Sequence, residues 1–192
     1  MNQTEILTKI IRGRRSMFPP MYSDAKIAEE DIELILENAN WAPNHKLTEP
    51  WRFHVMTGDK LQQMSVWAGE WYKKNVTGDK YSPVKHKKIM SNPLKSSHVI
   101  AICMRPAPDS GLPEWEEVAA LSMAVQNMWL TAASLGIGSY WSSPGYIRDA
   151  GELLDLSEGE RCLGWFYMGM PQPGASPQSK RTPIGEKVTW YK

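Results

Sequence analysis

The sequence predicts one α+β domain, and three observations predict it. Apolar runs with strand character are scattered singly between amphipathic helical stretches, the pattern of α+β or mixed α/β packing. The chain has 192 residues, a length suited to one core that buries roughly 70% of the surface the unfolded chain exposes. No internal repeat, heptad array or low-complexity tract divides it.

The first helix is expected over residues 4–13, where Ile6, Leu7, Ile10 and Ile11 recur at helical spacing behind Thr4 as N-cap. Arg12, Arg14 and Arg15 crowd its end, where cations complement the helix dipole. The second, residues 28–41, starts with Glu29, Glu30 and Asp31 and carries an apolar stripe of Ile32, Ile35, Leu36 and Ala39. Ile27 and Ile32 staple it around the poor cap Ala28, and Pro43 stops it. Residues 51–57 read as a strand and 60–74 as a helix with Leu61, Met64, Trp67 and Trp71 on one face. Residues 75–93 are polar and lysine-rich, a solvated helix-and-loop excursion with the length for a lid.

Residues 98–104 form a buried strand by their unbroken apolar character. The longest helix, 114–135, begins acidic, turns apolar nearly all round and ends at Gly136, where a left-handed cap is expected. A helix greasy on every face needs cover on every face, and in so small a chain a second copy would supply it. Strands at 137–141 and 163–168, a helix at 147–156 and a strand-like tail at 187–191 complete the reading.

Composition narrows the function. Lys plus Arg number 22 against 21 Asp plus Glu, a net charge of +1 that leaves no electrostatic footprint for nucleic acid. The longest strongly apolar run, 99–104, is far short of the ~20 residues that span a bilayer. The opening residues lack the apolar core of a secretory signal, and a cytoplasmic location is expected. Cys103 and Cys162 lie in apolar stretches without metal spacing and read as unpaired, inert core residues. The four histidines show no paired-ligand spacing, so no metal is expected. Gly136-Ile137-Gly138 follows a helix, not a strand, and is no dinucleotide fingerprint. Nine Trp against three Phe suit stacking on a planar ligand or a large interface, beside ordinary core packing.

Four stretches carry candidate chemistry. Arg14-Arg15-Ser16 can grip a phosphate through charge-assisted hydrogen bonds. The run from Trp41 to Phe53 is a loop pinned by Pro43 and Pro50, rich in polar groups and flanked by tryptophans. Trp141-Ser142-Ser143-Pro144-Gly145 follows a strand end, where mixed sheets expose ligand sites. Lys180-Arg181 could add phosphate charge.

Taken together and in this order, these stretches resemble the FMN-dependent nitroreductase family, in its compact single-domain members. Arg14-Arg15-Ser16 is similar to the family's N-terminal Arg-Arg-Ser, which implies contacts to FMN phosphate and ribityl. Ala42-Pro43-Asn44-His45-Lys46 followed by Pro50-Trp51-Arg52-Phe53 is similar to the family's A-P-x-x-x…Q-P-W-x-F, with Glu49 where Gln is frequent. The resemblance implies that Trp141, Ser142 and Ser143 lie along the flavin and that Lys180 and Arg181 reach its phosphate. It also implies that Trp41 and His45 reach the FMN held mainly by the other subunit. The likeness runs from Ile6 to Trp190.

The fold so implied is a three-layer sandwich, with a central mixed or antiparallel sheet and the long central helix in a homodimer interface of ~2,000–5,000 Å². The implied activity is a ping-pong oxidoreductase in which FMN takes hydride from NADH or NADPH and passes electrons to nitroaromatics, quinones or similar planar acceptors. No catalytic acid or nucleophile of the protein's own is then needed. Rival readings are a flavin storage or sensor protein with little turnover, a relative specialised in reductive dehalogenation or ring fragmentation, and a flavin-free interaction protein using its tryptophans as contact surface.

Overall fold

Four strands form the centre of the computed structural model, which describes residues 1–192. They are β1 (Trp51–Met56), β2 (His98–Met104), β3 (Gly138–Ser142) and β4 (Arg161–Gly169). Every pairing is antiparallel, in the order β1-β2-β4-β3. Strand β2 shows why the sheet must be covered twice. Val99, Ala101 and Cys103 alternate with Ile100, Ile102 and Met104, and all six are buried.

One face of the sheet carries α2 (Glu29–Asn40) and α5 (Glu114–Ser134), whose Ile35, Leu121, Val125 and Met128 pack on Ile100, Ile102 and Phe166. The other carries α3 (Asp59–Asn75) and the 3-10 segment Gly145–Glu152, which bury Met64, Ala68, Tyr146 and Ala150 against Val99, Ala101 and Trp165. Helix α4 (Pro83–Leu94) packs on α3, and α1 (Gln3–Gly13) lies beside α5. The result is the three-layer α+β sandwich expected, with an antiparallel sheet.

Several elements differ from the sequence expectation in detail. Helix α1 is capped by Asn2, not Thr4: the Asn2 side chain accepts from Glu5 N–H, and the Glu5 carboxylate accepts from Asn2 N–H. The segment expected as a helix at 147–156 is instead the shorter 3-10 stretch. The tail at 187–191 pairs with no strand, and its Trp190 and Tyr191 are exposed. Within one chain α5 is covered on most sides, but Trp115 and Met123 remain exposed.

The cysteines require a correction. Cys103 and Cys162, expected to be unpaired, are joined by a disulfide between β2 and β4. They are 59 residues apart in sequence, and a register shift between Ile102 and Cys103 sets them face to face with Cα atoms 3.9 Å apart. Spacing along the chain carries no trace of a pairing made by strand register.

Candidate functional site

Residues 14–17 run along the outer edge of β3. Ser16 makes a parallel bridge to Ser139, and Met17 N–H donates to Ser139 C=O at 3.0 Å. Tyr22 pins the segment from behind, its hydroxyl donating to Met17 C=O at 2.6 Å and lying 3.1 Å from Tyr167 C=O. Burial pushes the Tyr22 hydroxyl far above the usual phenol range, so it stays a neutral donor. A strand-edge register thus fixes where the two arginines emerge.

Those arginines do different work. Arg15 spends its guanidinium on backbone carbonyls: Arg12 at 2.6 Å, Arg14 at 3.0 Å and Pro177 at 3.2 Å. It ties the C-terminal segment to the end of α1. Arg14 instead stacks on Trp129, its guanidinium carbon 4.4 Å from the ring centroid, and one buried terminal nitrogen has no partner. Arg181 arrives from the tail, braced by the Ser179 hydroxyl at 2.6 Å.

Arg14, Arg15, Arg181 and Ser179 line a cavity of about 430 Å³. None of the three guanidiniums is paired with a carboxylate. Burial, then the charges of Arg181 and Arg15, depress the Arg14 pKa from its ordinary value. Like charges crowded without a counterion mark a place for an anion.

A second cavity, which also borders Arg14 and Arg15, continues past Met17, Trp129 and Ser139. The Ser139 hydroxyl is buried there without a partner. Next along β3 lies the roomiest of these spaces, about 710 Å³, walled by Phe18, Trp71, Tyr72, Tyr140 and Tyr146. Ser142, Asn92, Lys85 and Lys88 add polar groups, and the Asn92 side-chain oxygen Oδ1 is buried without a partner. Tyr140 stacks on Tyr167 at 5.2 Å, and Phe18 meets Tyr140 edge-on at 4.8 Å. Burial pushes the Tyr146 hydroxyl up to about 12, so this wall too stays neutral. The sequence of spaces is cationic, then hydroxylated, then aromatic, over ~10 Å of β3. An elongated ligand with an anionic tail and a planar head matches it.

The expected site residues divide into three groups. Arg14, Arg15 and Arg181 come together at the cationic end, Ser16 follows them on the edge of β3, and Ser142 reaches the aromatic cavity. Trp141 does not: alternation along β3 turns it to the opposite face, where its indole lies over Gly164. Ser143 is exposed, and Lys180 contributes its carbonyl to Arg181. Trp41 and His45 line neither arginine-bordered cavity: Trp41 closes α2, and His45 faces α5. Trp41 is 78% exposed, and His45 Nδ1 lies 2.6 Å from a Glu116 carboxylate oxygen.

The loop around His45 is strained. Lys46, Leu47 and Glu49 all have positive φ, at 54°, 54° and 42°. Such non-glycine residues cost about 1–3 kcal/mol each and cluster at functional sites. Asn44 holds the turn by accepting from Glu49 N–H at 3.1 Å, and Lys46 Nζ donates to Ser110 C=O at 2.6 Å. Trp129, Ser139, Phe18, Tyr140 and Asn92 also line these cavities, although no motif in the sequence singles them out. The only signal for Ser139 and Tyr140 was their place in a predicted strand that ends at the Trp141-Ser142-Ser143 stretch.

A family model described as "Nitroreductase family" matches residues 11–170. The Bacillus subtilis (strain 168) protein YfhC, which carries the provisional name NAD(P)H nitroreductase, is 28% identical over 98% of this chain and 96% of its own. A nitroreductase-like family protein from Bacillus cereus superposes with a TM-score of 0.78 at 26% identity, covering 97% of this chain and 96% of its own. The FMN-dependent nitroreductase NfnB of Mycobacterium smegmatis, solved in complex with NADPH, shares the fold with a TM-score of 0.83 at 15% identity and full coverage of both chains.

Proposed function

The chain belongs to the nitroreductase family, and from that premise we propose that it is an FMN-dependent NAD(P)H oxidoreductase acting on nitroaromatics, quinones or similar planar acceptors. The observation that carries this reading is the convergence of Arg14, Arg15 and Arg181, without a carboxylate partner, at one end of a path that ends among aromatic rings. FMN fits that path on the chemistry of the groups present. Its phosphate answers the crowded guanidiniums, and unpartnered polar atoms of Arg14, Ser139 and Asn92 lie where a polar chain and ring edge need partners. When bound, FMN supplies hydride acceptance from NAD(P)H and electron delivery to the acceptor.

The protein's own residues then bind, orient and exclude. Arg14 and Arg181 hold the phosphate, and Arg15 keeps Arg181's segment docked through Pro177. Ser16 and Ser139 offer hydroxyls to the ribityl chain. Phe18 and Tyr140 form an apolar wall, and Ser142 presents a polar group at the ring's rim. Lys85 and Lys88, at the mouth of the aromatic cavity, favour electron-rich or anionic molecules approaching it. Helices α3 and α4 wall that cavity, which makes the 75–93 excursion the part best placed to act as a lid.

A second copy completes the site in this reading. Exposed Trp115 and Met123 on α5, and Ile6, Leu7 and Ile11 on α1, leave apolar surface for a homodimer interface. The strained loop with Trp41 and His45 lies on that side, from which it would reach the partner's flavin. The chain is expected to work in the cytoplasm; no helix is long and apolar enough to cross a membrane.

Steady-state rates with the FMN-loaded protein test the chemistry. Varying NAD(P)H against a nitroaromatic or quinone is expected to give parallel double-reciprocal lines. Intersecting lines overturn the ping-pong order. Flavin reduced by NAD(P)H but not reoxidised by any such acceptor would instead favour storage or sensing.

A further inference from the structure

The disulfide sits beside groups that the proposed flavin chemistry does not use. His54 on β1 and Glu160, in the turn before β4, meet at 2.5 Å between His54 Nε2 and a Glu160 carboxylate oxygen. A ring nitrogen of His54, a carboxylate oxygen of Glu160 and Cys103 Sγ all lie within 4.8 Å of one another. Cys162 Sγ is bonded to Cys103 Sγ, directly beside this trio. Four groups of three chemical types, from three strands and a turn, therefore lie at one corner of the sheet: two bonded sulfurs, an imidazole and a carboxylate.

The corner is built, not incidental. The Glu160 side chain is 3% exposed, and its second oxygen accepts from Ser157 N–H at 3.1 Å, which leaves the first aimed at His54. Cys103 and Cys162 are both buried, and His54, at 29% exposure, stands at the mouth. The register shift between Ile102 and Cys103 turns the sulfur pair into alignment, and such bulges often re-aim a side chain at a functional position.

We propose that reduction of the Cys103–Cys162 disulfide opens a zinc site formed by Cys103, Cys162, His54 and Glu160. With the sulfurs bonded to each other only His54 and Glu160 remain as donors, too few for a closed tetrahedral site. A dithiol reductant breaks the Sγ–Sγ bond, delivers two electrons and two protons to the cysteines, and is itself oxidised to a disulfide. Zinc then displaces the two thiol protons to solvent and is held by two sulfurs, one imidazole nitrogen and one carboxylate oxygen. That donor set suits a borderline-soft ion preferring four ligands, and it disfavours magnesium and calcium. The cluster ties β1, β2 and β4 together on the face that packs against α3, so occupancy would fasten the sheet's corner in the reduced protein where the disulfide does so in the oxidised one.

The test uses the full chain without flavin, so it stands apart from the proposed activity. Cobalt(II) is added under nitrogen to protein as prepared and to protein reduced with dithiothreitol and desalted. The proposal expects one equivalent to bind only after reduction, with sulfur-to-cobalt charge transfer and tetrahedral d–d bands that zinc abolishes. His54→Ala and Glu160→Gln should each weaken binding by at least the roughly tenfold that even outer-shell changes cost. Zinc should also raise the thermal midpoint of the reduced protein alone. A reduced protein that shows no such bands, or bands unaffected by both substitutions, overturns the proposal. So does a disulfide that resists dithiothreitol in the folded chain.

Discussion

Arg14 lies with its guanidinium carbon 4.4 Å from the ring centroid of Trp129, while the Trp129 indole N–H donates to Ser139 C=O at 3.2 Å. One contact thus couples the cation at the start of the site to the strand that carries the rest of it. Stacking sets the plane of the guanidinium and leaves a terminal nitrogen free for a ligand.

Arg14→Lys removes both the planar fork and the stacking surface. It is expected to weaken FMN binding by about 10- to 100-fold, the worth of one charge-assisted hydrogen bond of about 1.5–3 kcal/mol, read from quenching of flavin fluorescence. Arg181→Ala should weaken FMN binding as well. In flavin-free protein it should leave the thermal midpoint unchanged or higher, because it relieves repulsion with Arg14. A lower midpoint without flavin would mean that Arg181 serves the fold.

Gly164 is a glycine because Trp141 lies on it. A Cβ there would come within 1.9 Å of Trp141 Nε1 and 2.7 Å of Ser142 C=O. Gly164→Ala should destabilise the chain by about 1–3 kcal/mol or more in denaturant melts. Trp141→Phe should lower stability while changing FMN affinity little, since the ring faces away from the aromatic cavity. A large affinity loss with intact stability would place Trp141 against the ligand.

Acid should weaken the fold in two stages. Burial, and then the charge of Lys26, hold the His98 pKa below its ordinary 6.5, so as pH falls through that value the unfolded chain takes up the proton first and stability drops. Burial pushes the Glu160 carboxyl up, but hydrogen bonds from His54 and Ser157 N–H outweigh it and hold the pKa below 4.5. Its contribution is full above 4.5 and is lost as pH falls further. His98→Gln should flatten the first stage and Glu160→Gln the second in urea midpoints measured from pH 7 to 3.

Sedimentation should show a homodimer. Met123→Glu, on the exposed stripe of α5, is expected to shift it toward monomer and to lower flavin retention with it. A variant that stays dimeric would move the interface elsewhere.

The layers of the fold were legible because periodicity reports burial directly. The strand at 98–104 and the helix from Glu114 appear where alternation and the acidic first turn put them. The cationic end of the site was legible through Arg14, Arg15 and Arg181, whose residue type announces an anion. The aromatic end was not. Phe18, Tyr140 and Asn92 belong to three separate elements, and only the β3–β4 pairing and the packing of α4 bring them to one wall. The resemblance groups Trp141 with Ser142 and Ser143, whereas a strand sends successive side chains to opposite faces, and Trp141 packs with the α2/α5 layer. The Cys103–Cys162 pairing escaped for a related reason, since register is a property of two strands at once.

The most direct test of the central claim is the visible spectrum of the chain titrated with FMN, followed anaerobically by NADPH or NADH. One tightly held flavin per chain is expected, bleached by nicotinamide and restored on adding a nitroaromatic or quinone. A folded protein that takes up no flavin would contradict it.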